Sequence, residues 1–134
     1  MRQVKAVIER ASDGTFSIYM DAEDITYLVT GTGKTVEEAR KMFEAEYEDM
    51  KKYYAAEGKA FEEVEFLFQY DVASFLQYYA YAFSLAGLEK ITGINQKQLG
   101  HYISGYRNPS PKTKQKIEES IRKFSEELSA VTFA

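Results

Sequence analysis

The chain contains no cysteine, which excludes disulfides and thiolate metal sites. With one histidine, His101, it also lacks the ligands of a structural zinc site, and neither a metal nor a cofactor is expected. Proline is nearly absent too: the only two, Pro109 and Pro111, fall together, where they stop a helix from resuming. No apolar run is long enough to span a bilayer. The longest charge-free stretch, Val72 to Leu88, is short and rich in Tyr, Ser and Gln. The opening Met1–Arg10 has no apolar core of the signal-peptide kind. The expectation is a cytoplasmic protein with no membrane partner.

At 134 residues, 45% hydrophobic and 28% charged, the composition is that of an ordinary globular chain, with room for one domain or two very small ones. The net charge of −4 is unequally divided. Residues 1–70 carry nine Lys/Arg against fifteen Asp/Glu, a net of −6; residues 71–134 carry eight against six, a net of +2. An acidic half joined to a basic one points to two partners of different charge.

The most informative stretch is Ser84–Ser110. Leu88 and Ile91 form one apolar face and Ile94 fills a turn that needs Gly93. Leu99, Tyr102 and Ile103 then recur at helical spacing, so two short helices dock at a steep angle. Asn95 stands at an N-cap position and Gly105 at a C-cap position. The outward side of the second helix carries Gln96, Lys97, His101 and Ser104, side chains suited to base edges and phosphates in a major groove. From Glu89 to Ile117 there are six Lys/Arg against one Glu, a net of +5 that would attract a phosphate backbone.

The pattern Leu88…Thr92-Gly93-Ile94-Asn95-Gln96…Leu99…Gly105-x-Arg107-x-Pro109-Ser110 resembles the Cro-like helix-turn-helix domain over about thirty residues. Two departures stand out. Glu89 occupies a position that is usually small, and Gly100 weakens the reader helix by about 1 kcal/mol relative to Ala. The resemblance implies that Gln96, Lys97 and His101 read bases. Asn95, Gln98, Ser104, Tyr106, Arg107 and Lys112 would fix register on phosphates. Without the resemblance, the same residues describe a helical hairpin with a solvated basic face.

In the first seventy residues, Val4–Glu9 alternates as a strand, Ser12-Asp13-Gly14 is a turn signal, and Thr15–Tyr19 alternates again, giving a hairpin. Ile25–Thr30 reads as a third strand from its β-branched and aromatic content. Thr35-Val-Glu-Glu38 is a capping box that opens a helix with Val36, Ala39, Phe43, Tyr47, Met50 and Tyr54 on its apolar stripe. Its other face is acidic, and Gly58 ends it. Val64–Tyr70 gives a further strand before Asp71 caps the next helix. The order is β-β-β-α-β, and the fold class is α+β: a sheet-plus-helix domain over 1–70 followed by an all-α domain over 71–134. Gly31-Thr-Gly-Lys-Thr35 invites a nucleotide reading, but position 28, where a phosphate loop needs its first glycine, is Leu. Glu9, Asp13, Glu37, Glu38 and Asp71 could be assembled into a metal nuclease. They sit mostly at turns, caps and the exposed helix face, where carboxylates occur anyway. No enzymatic activity is expected.

This half is similar to the HicB-type antitoxin domain, a partial ribonuclease H fold without catalytic function. The hairpin Val4–Tyr19 and Gly33-x-Thr35-Val-Glu-Glu-Ala39 carry the likeness. The family's Pro- and Gly-bearing segment after the second strand is here Met20-Asp-Ala-Glu-Asp24, which has neither. The resemblance implies an antitoxin of a type II toxin–antitoxin pair that represses its own operon and neutralises a small basic, HicA-type mRNA-cleaving toxin. Glu37, Glu44 and Glu48 are the candidate toxin contacts. The alternative is a stand-alone transcription regulator whose N-terminal module senses or oligomerises.

Towards the end of the chain, Val72, Phe75, Leu76, Tyr79 and Phe83 form a supporting helical stripe. Tyr78, Tyr79 and Tyr81 form an aromatic cluster that either stacks on bases or packs in a core. A last helix from about Lys112 to Val131 carries Ile117, Ile121, Phe124, Leu128 and Val131, the first part for a core and the remainder for pairing. Besides double-stranded operator DNA and the toxin, the expected partner is a second copy, as a homodimer or higher homo-oligomer, and the resemblance to Cro-like domains implies paired half-sites about 34 Å apart.

Overall fold

A computed structural model describes residues 1–134. Strand β1 (Arg2–Arg10) turns at Ala11–Thr15 into β2 (Phe16–Asp21), paired antiparallel from Lys5↔Asp21 to Arg10↔Phe16. The turn is closed by the Gly14 N–H on Ala11 O at 2.9 Å, and Gly14 takes a φ of 86°. Val4, Ala6 and Ile8 of β1 and Phe16, Ile18 and Met20 of β2 are buried, so the alternation in the sequence is the alternation of the sheet face.

Strand β3 is Thr30–Gly33, later in the chain than the Ile25–Thr30 expected from β propensity. Side chains hold the earlier segment in place of a ladder. Tyr27 stacks on Phe61 at 4.5 Å and donates its hydroxyl to Glu62 O at 2.8 Å. The Val29 N–H points at the Met20 sulfur 3.3 Å away, and the Tyr54 hydroxyl reaches Thr26 O at 2.9 Å. Two glycines enter the strand instead because helix α1 (Val36–Ala56) comes too close for a side chain. A Cβ on Gly31 would lie 2.2 Å from Ala39 O and 2.6 Å from Phe43 N. That contact gives the Gly31–Thr35 run a packing duty.

Helix α1 (Val36–Ala56) is capped by Thr35, whose hydroxyl accepts the Glu38 N–H at 3.1 Å. The Glu38 carboxylate accepts from Lys34 N at 2.8 Å, one residue before the cap itself. Ala39 and Phe43 are fully buried against the sheet, where Phe43 meets Phe66 edge-on at 4.7 Å. Strand β4 (Val64–Tyr70) returns parallel to β1, from Arg2↔Val64 to Ile8↔Tyr70, and the order is β3-β2-β1-β4. One face of this mixed sheet is covered by α1. At one corner, Arg2 holds Asp24 at 2.7 Å and Glu62 at 2.8 Å. That guanidinium keeps the Asp24 carboxyl below the usual range, and the two carboxylates push the Arg2 pKa up.

The chain divides into two compact units, Met1–Phe75 and Leu76–Ala134, so the division falls inside helix α2 (Val72–Tyr78) instead of at 70/71. The first turn of α2 is tied to the sheet domain: the Ser74 hydroxyl accepts Arg10 N at 2.8 Å and donates to the Asp71 carboxylate at 2.9 Å. The second unit continues through a single 3₁₀ turn (Tyr79–Tyr81) into α3 (Leu85–Thr92), α4 (Gln96–Ser104) and α5 (Pro111–Ser129). Leu76, Leu88, Ile94, Leu99, Tyr102 and Ile117 are buried and form its core. The protein is α+β, with a four-stranded mixed sheet and five α-helices. None of its helices is long and apolar enough to cross a membrane.

Candidate nucleic-acid interface

Four local devices shape α3, α4 and the turn between them. Ser84 caps α3 by accepting the Gly87 N–H at 2.9 Å. At the other end Gly93 takes the left-handed conformation, φ 74°, and returns its N–H to Glu89 O at 2.7 Å. Thr92, itself buried, donates its hydroxyl to Leu88 O at 2.7 Å and accepts the Ile94 N–H at 3.2 Å, fastening the turn to the helix before it. Asn95 then caps α4 through the Gln98 N–H at 2.8 Å. Glu89 is half-buried on α3, and the turn accommodates it without distortion of the Gly93 cap.

Leu99 and Tyr102 bury the inner side of α4. Its exposed first turn presents Gln96 and Lys97 with no hydrogen bond to another side chain. Gln98 is differently placed: its amide donates to the Tyr102 hydroxyl at 2.7 Å, so it braces the helix. Asn95 is likewise committed to its cap. These two phosphate candidates therefore already serve the fold.

The far end of α4 gathers four of the remaining candidates. The His101 ring lies 4.9 Å from that of Tyr106, and Arg107 approaches the same tyrosine at 5.9 Å. Ser104 donates to His101 O at 3.2 Å and accepts the Tyr106 N–H at 3.3 Å, while the Arg107 N–H closes on His101 O at 3.2 Å. Gly105, φ 77°, permits this tight reversal. His101 is consequently half-buried, with its Nδ1 enclosed and unpartnered, so that nitrogen is turned away from any groove. Only its remaining edge is available to a base. Tyr106 and Arg107 are exposed.

Lys112 lies in the first turn of α5, which Ser110 caps by accepting the Thr113 N–H at 3.2 Å. Lys116, four residues on and thus on the same side of α5, brings its Nζ to 3.7 Å from where a Cβ on Gly93 would stand. It is a cation beside the α3–α4 turn and one of the six Lys/Arg of the basic stretch, though it is not singled out there as a phosphate contact. Further along α5, Phe124 meets Phe83 at 6.1 Å, whereas Leu128 is 56% exposed; the helix stops at Ser129, short of the expected Val131, and Val131 lies beyond it 54% exposed.

The acidic candidates lie on the outer side of α1 in the first unit. Glu37, Glu44 and Glu48 are all exposed. Glu37 faces Lys41 at 3.5 Å and Glu44 faces Arg40 at 3.1 Å, so that part of the surface is less acidic than its carboxylate count implies. Nowhere do three or more His, Cys, Asp or Glu converge as a metal ion would require.

No protein-family model matches this chain, and no curated protein or solved structure matches it either.

Proposed function

We propose that the second unit binds double-stranded DNA through α4. In this reading Gln96 and Lys97 read bases in the major groove, and Tyr106, Arg107, Lys112 and Lys116 hold phosphates. The observation that carries it is the exposed first turn of α4, bearing Gln96 and Lys97, set by a left-handed Gly93 and an Asn95 cap beside a run of unpaired cations. A groove-reading helix needs a fixed approach angle, an uncommitted polar end and flanking positive charge. The exposed Leu128 of α5 and Val131 just beyond the helix supply a pairing surface by which two copies would meet two half-sites.

The β-β-β-α-β order of the first unit and its likeness to the HicB-type antitoxin domain support a fuller reading. The protein is the antitoxin of a type II pair: it represses its own operon and covers a small basic mRNA-cleaving toxin, with Glu37, Glu44 and Glu48 of α1 meeting the toxin. Negative charge on a long exposed helix would occupy a nuclease's RNA-binding surface.

The deciding experiment is binding to the DNA upstream of its own gene, titrated across salt against a scrambled duplex of equal length. The reading expects selective binding and a steep salt slope, with selectivity lost in Gln96→Ala/Lys97→Ala at unchanged stability. Equal, weak affinity for both duplexes would remove the DNA-binding assignment. For the antitoxin half, co-purification with a small basic protein encoded beside it, and neutralisation of that protein's RNA cleavage, are expected.

A further inference from the structure

The sheet has two outer strands, and they are protected differently. β3, at one edge, is four residues long, and its Thr32 N–H and hydroxyl both meet the Met42 sulfur, at 3.4 and 3.5 Å. β4, at the other, runs for seven residues, Val64-Glu-Phe-Leu-Phe-Gln-Tyr70, without proline and with a single charge. Two contacts show which way its peptide groups point. The Asp71 N–H donates to Ile8 O of β1 at 2.9 Å, so odd-numbered residues turn towards β1. Val64 faces the opposite way, where its N–H donates to the Tyr47 hydroxyl at 3.0 Å. Alternation along the strand then turns the N–H and C=O of Phe66 and Phe68 outward, beyond which the sheet has no further strand. A long, apolar, open edge of this kind is a template for another strand.

We propose that β4 pairs antiparallel with the β4 of a second copy, about a two-fold axis at Leu67, merging two four-stranded sheets into one. The pattern of the strand selects this occupant and this register. Centring on Leu67 sets Phe66 opposite the second copy's Phe68, outward peptide against outward peptide, so donors meet acceptors. The same register sets Glu65 against Gln69 and brings the half-exposed Leu67 against its own copy, polar to polar and apolar to apolar. Centring on Phe66 would lay the Glu65 carboxylate on Leu67, and centring on Phe68 would oppose Glu65 to Asp71. Glu63, which approaches the second copy's Asp71 in the chosen register, is paired with Lys51. The Tyr47 hydroxyl ends the open edge at Val64, so the pairing is short and belongs at the small end of interface sizes.

The pairing involves only Met1–Phe75 and is independent of DNA binding by the second unit. Its test uses the full chain, which has no native cysteine. Sedimentation equilibrium up to high protein concentration should show self-association, and Leu67→Lys, which opposes two ammonium groups, should halve the assembly mass while leaving the circular dichroism spectrum and DNA affinity per site unchanged. Leu67→Cys should form an intermolecular disulfide in a glutathione redox buffer, because non-hydrogen-bonded antiparallel partners lie about 4.5 Å apart. Gln69→Cys, opposite Glu65 and out of reach of its own copy, should stay reduced. A chain that remains monomeric, a mass unaffected by Leu67→Lys, or equal cross-linking of the two cysteine variants would each overturn the proposal. Leu128→Glu reports separately on pairing through α5.

Discussion

The Asn95 side chain accepts the Gln98 N–H at 2.8 Å, so a residue suited by type to hold a phosphate is engaged in starting α4. Asn95→Ala should therefore cost about 1 kcal/mol of stability, seen as a lower urea midpoint at unchanged slope. Asn95→Asp keeps the cap and should retain stability. If the phosphate contact that the helix-turn-helix resemblance implies for Asn95 also forms, the added negative charge should weaken DNA binding in that variant. An Asp variant with undiminished affinity would confine Asn95 to its capping role.

Gly93 and Gly100 should respond in opposite directions to alanine. Gly93 is left-handed at φ 74°, where a Cβ costs about 1–2 kcal/mol. A Cβ on Gly100 meets nothing within 4 Å, so Gly100→Ala should stabilise α4 by up to about 1 kcal/mol. Thermal melts of the two variants, each compared with the parent, decide the matter. Reduced DNA affinity in a more stable Gly100→Ala would mean that the bare backbone there approaches the duplex.

Gly31→Ala is expected to be the most damaging small substitution in the first unit. The new methyl would overlap Ala39 O at 2.2 Å, and backbone on both sides leaves nothing flexible to yield. A loss of about 3 kcal/mol, or failure to fold, should appear in denaturation curves. Near-parental stability would mean that α1 can slide off the sheet at little cost.

Arg107 and Lys112 are exposed cations that no carboxylate pairs. If each holds one phosphate, Arg107→Ala and Lys112→Ala should weaken binding to selective and scrambled duplexes alike, each lowering the salt slope by about 1. A loss restricted to the selective duplex would move the residue concerned from phosphate to base contact.

Tyr27 gives the first unit an alkaline limit. Burial, followed by the influence of neighbouring Tyr47, pushes its phenol up to about 12. A raised folded-state pKa means stability fully present below the unfolded value, about 10, and lost as pH rises through about 12. Urea midpoints should therefore fall more steeply above pH 10 in the parent than in Tyr27→Phe. The variant should also lose about 1 kcal/mol at neutral pH, along with the hydroxyl bond to Glu62 O. Asp13 and Asp24 act at the other end of the scale. Their carboxyls are held low by hydrogen bonds from Thr15 and Arg2, so their contribution is present above pH 4 or so and disappears as acid protonates them.

What the sequence by itself determined was local. The caps at Thr35 and Asn95, the left-handed glycines 93 and 105, and the β4 span Val64–Tyr70 all follow from chemistry within a few residues. A side-chain oxygen finds an amide three positions away, and alternation needs only its neighbours. The buried sets of β1 and of α4 were legible for the same reason. Tertiary structure decided whatever depended on distant competition for a hydrogen bond or for space. Ile25–Val29 has strand propensity but is held by Tyr54, Phe61 and Met20, while glycines form β3 because α1 leaves no room for a Cβ. Gln98 and His101 have the residue types of a reading surface. Near neighbours on the chain, not distant ones, take them up: Tyr102, four residues on, claims the first, and the Gly105 reversal folds Tyr106 over the second. The open edge of β4 was equally hidden, because a strand's neighbours are chosen by the whole sheet and its own seven residues do not say on which side they will lie.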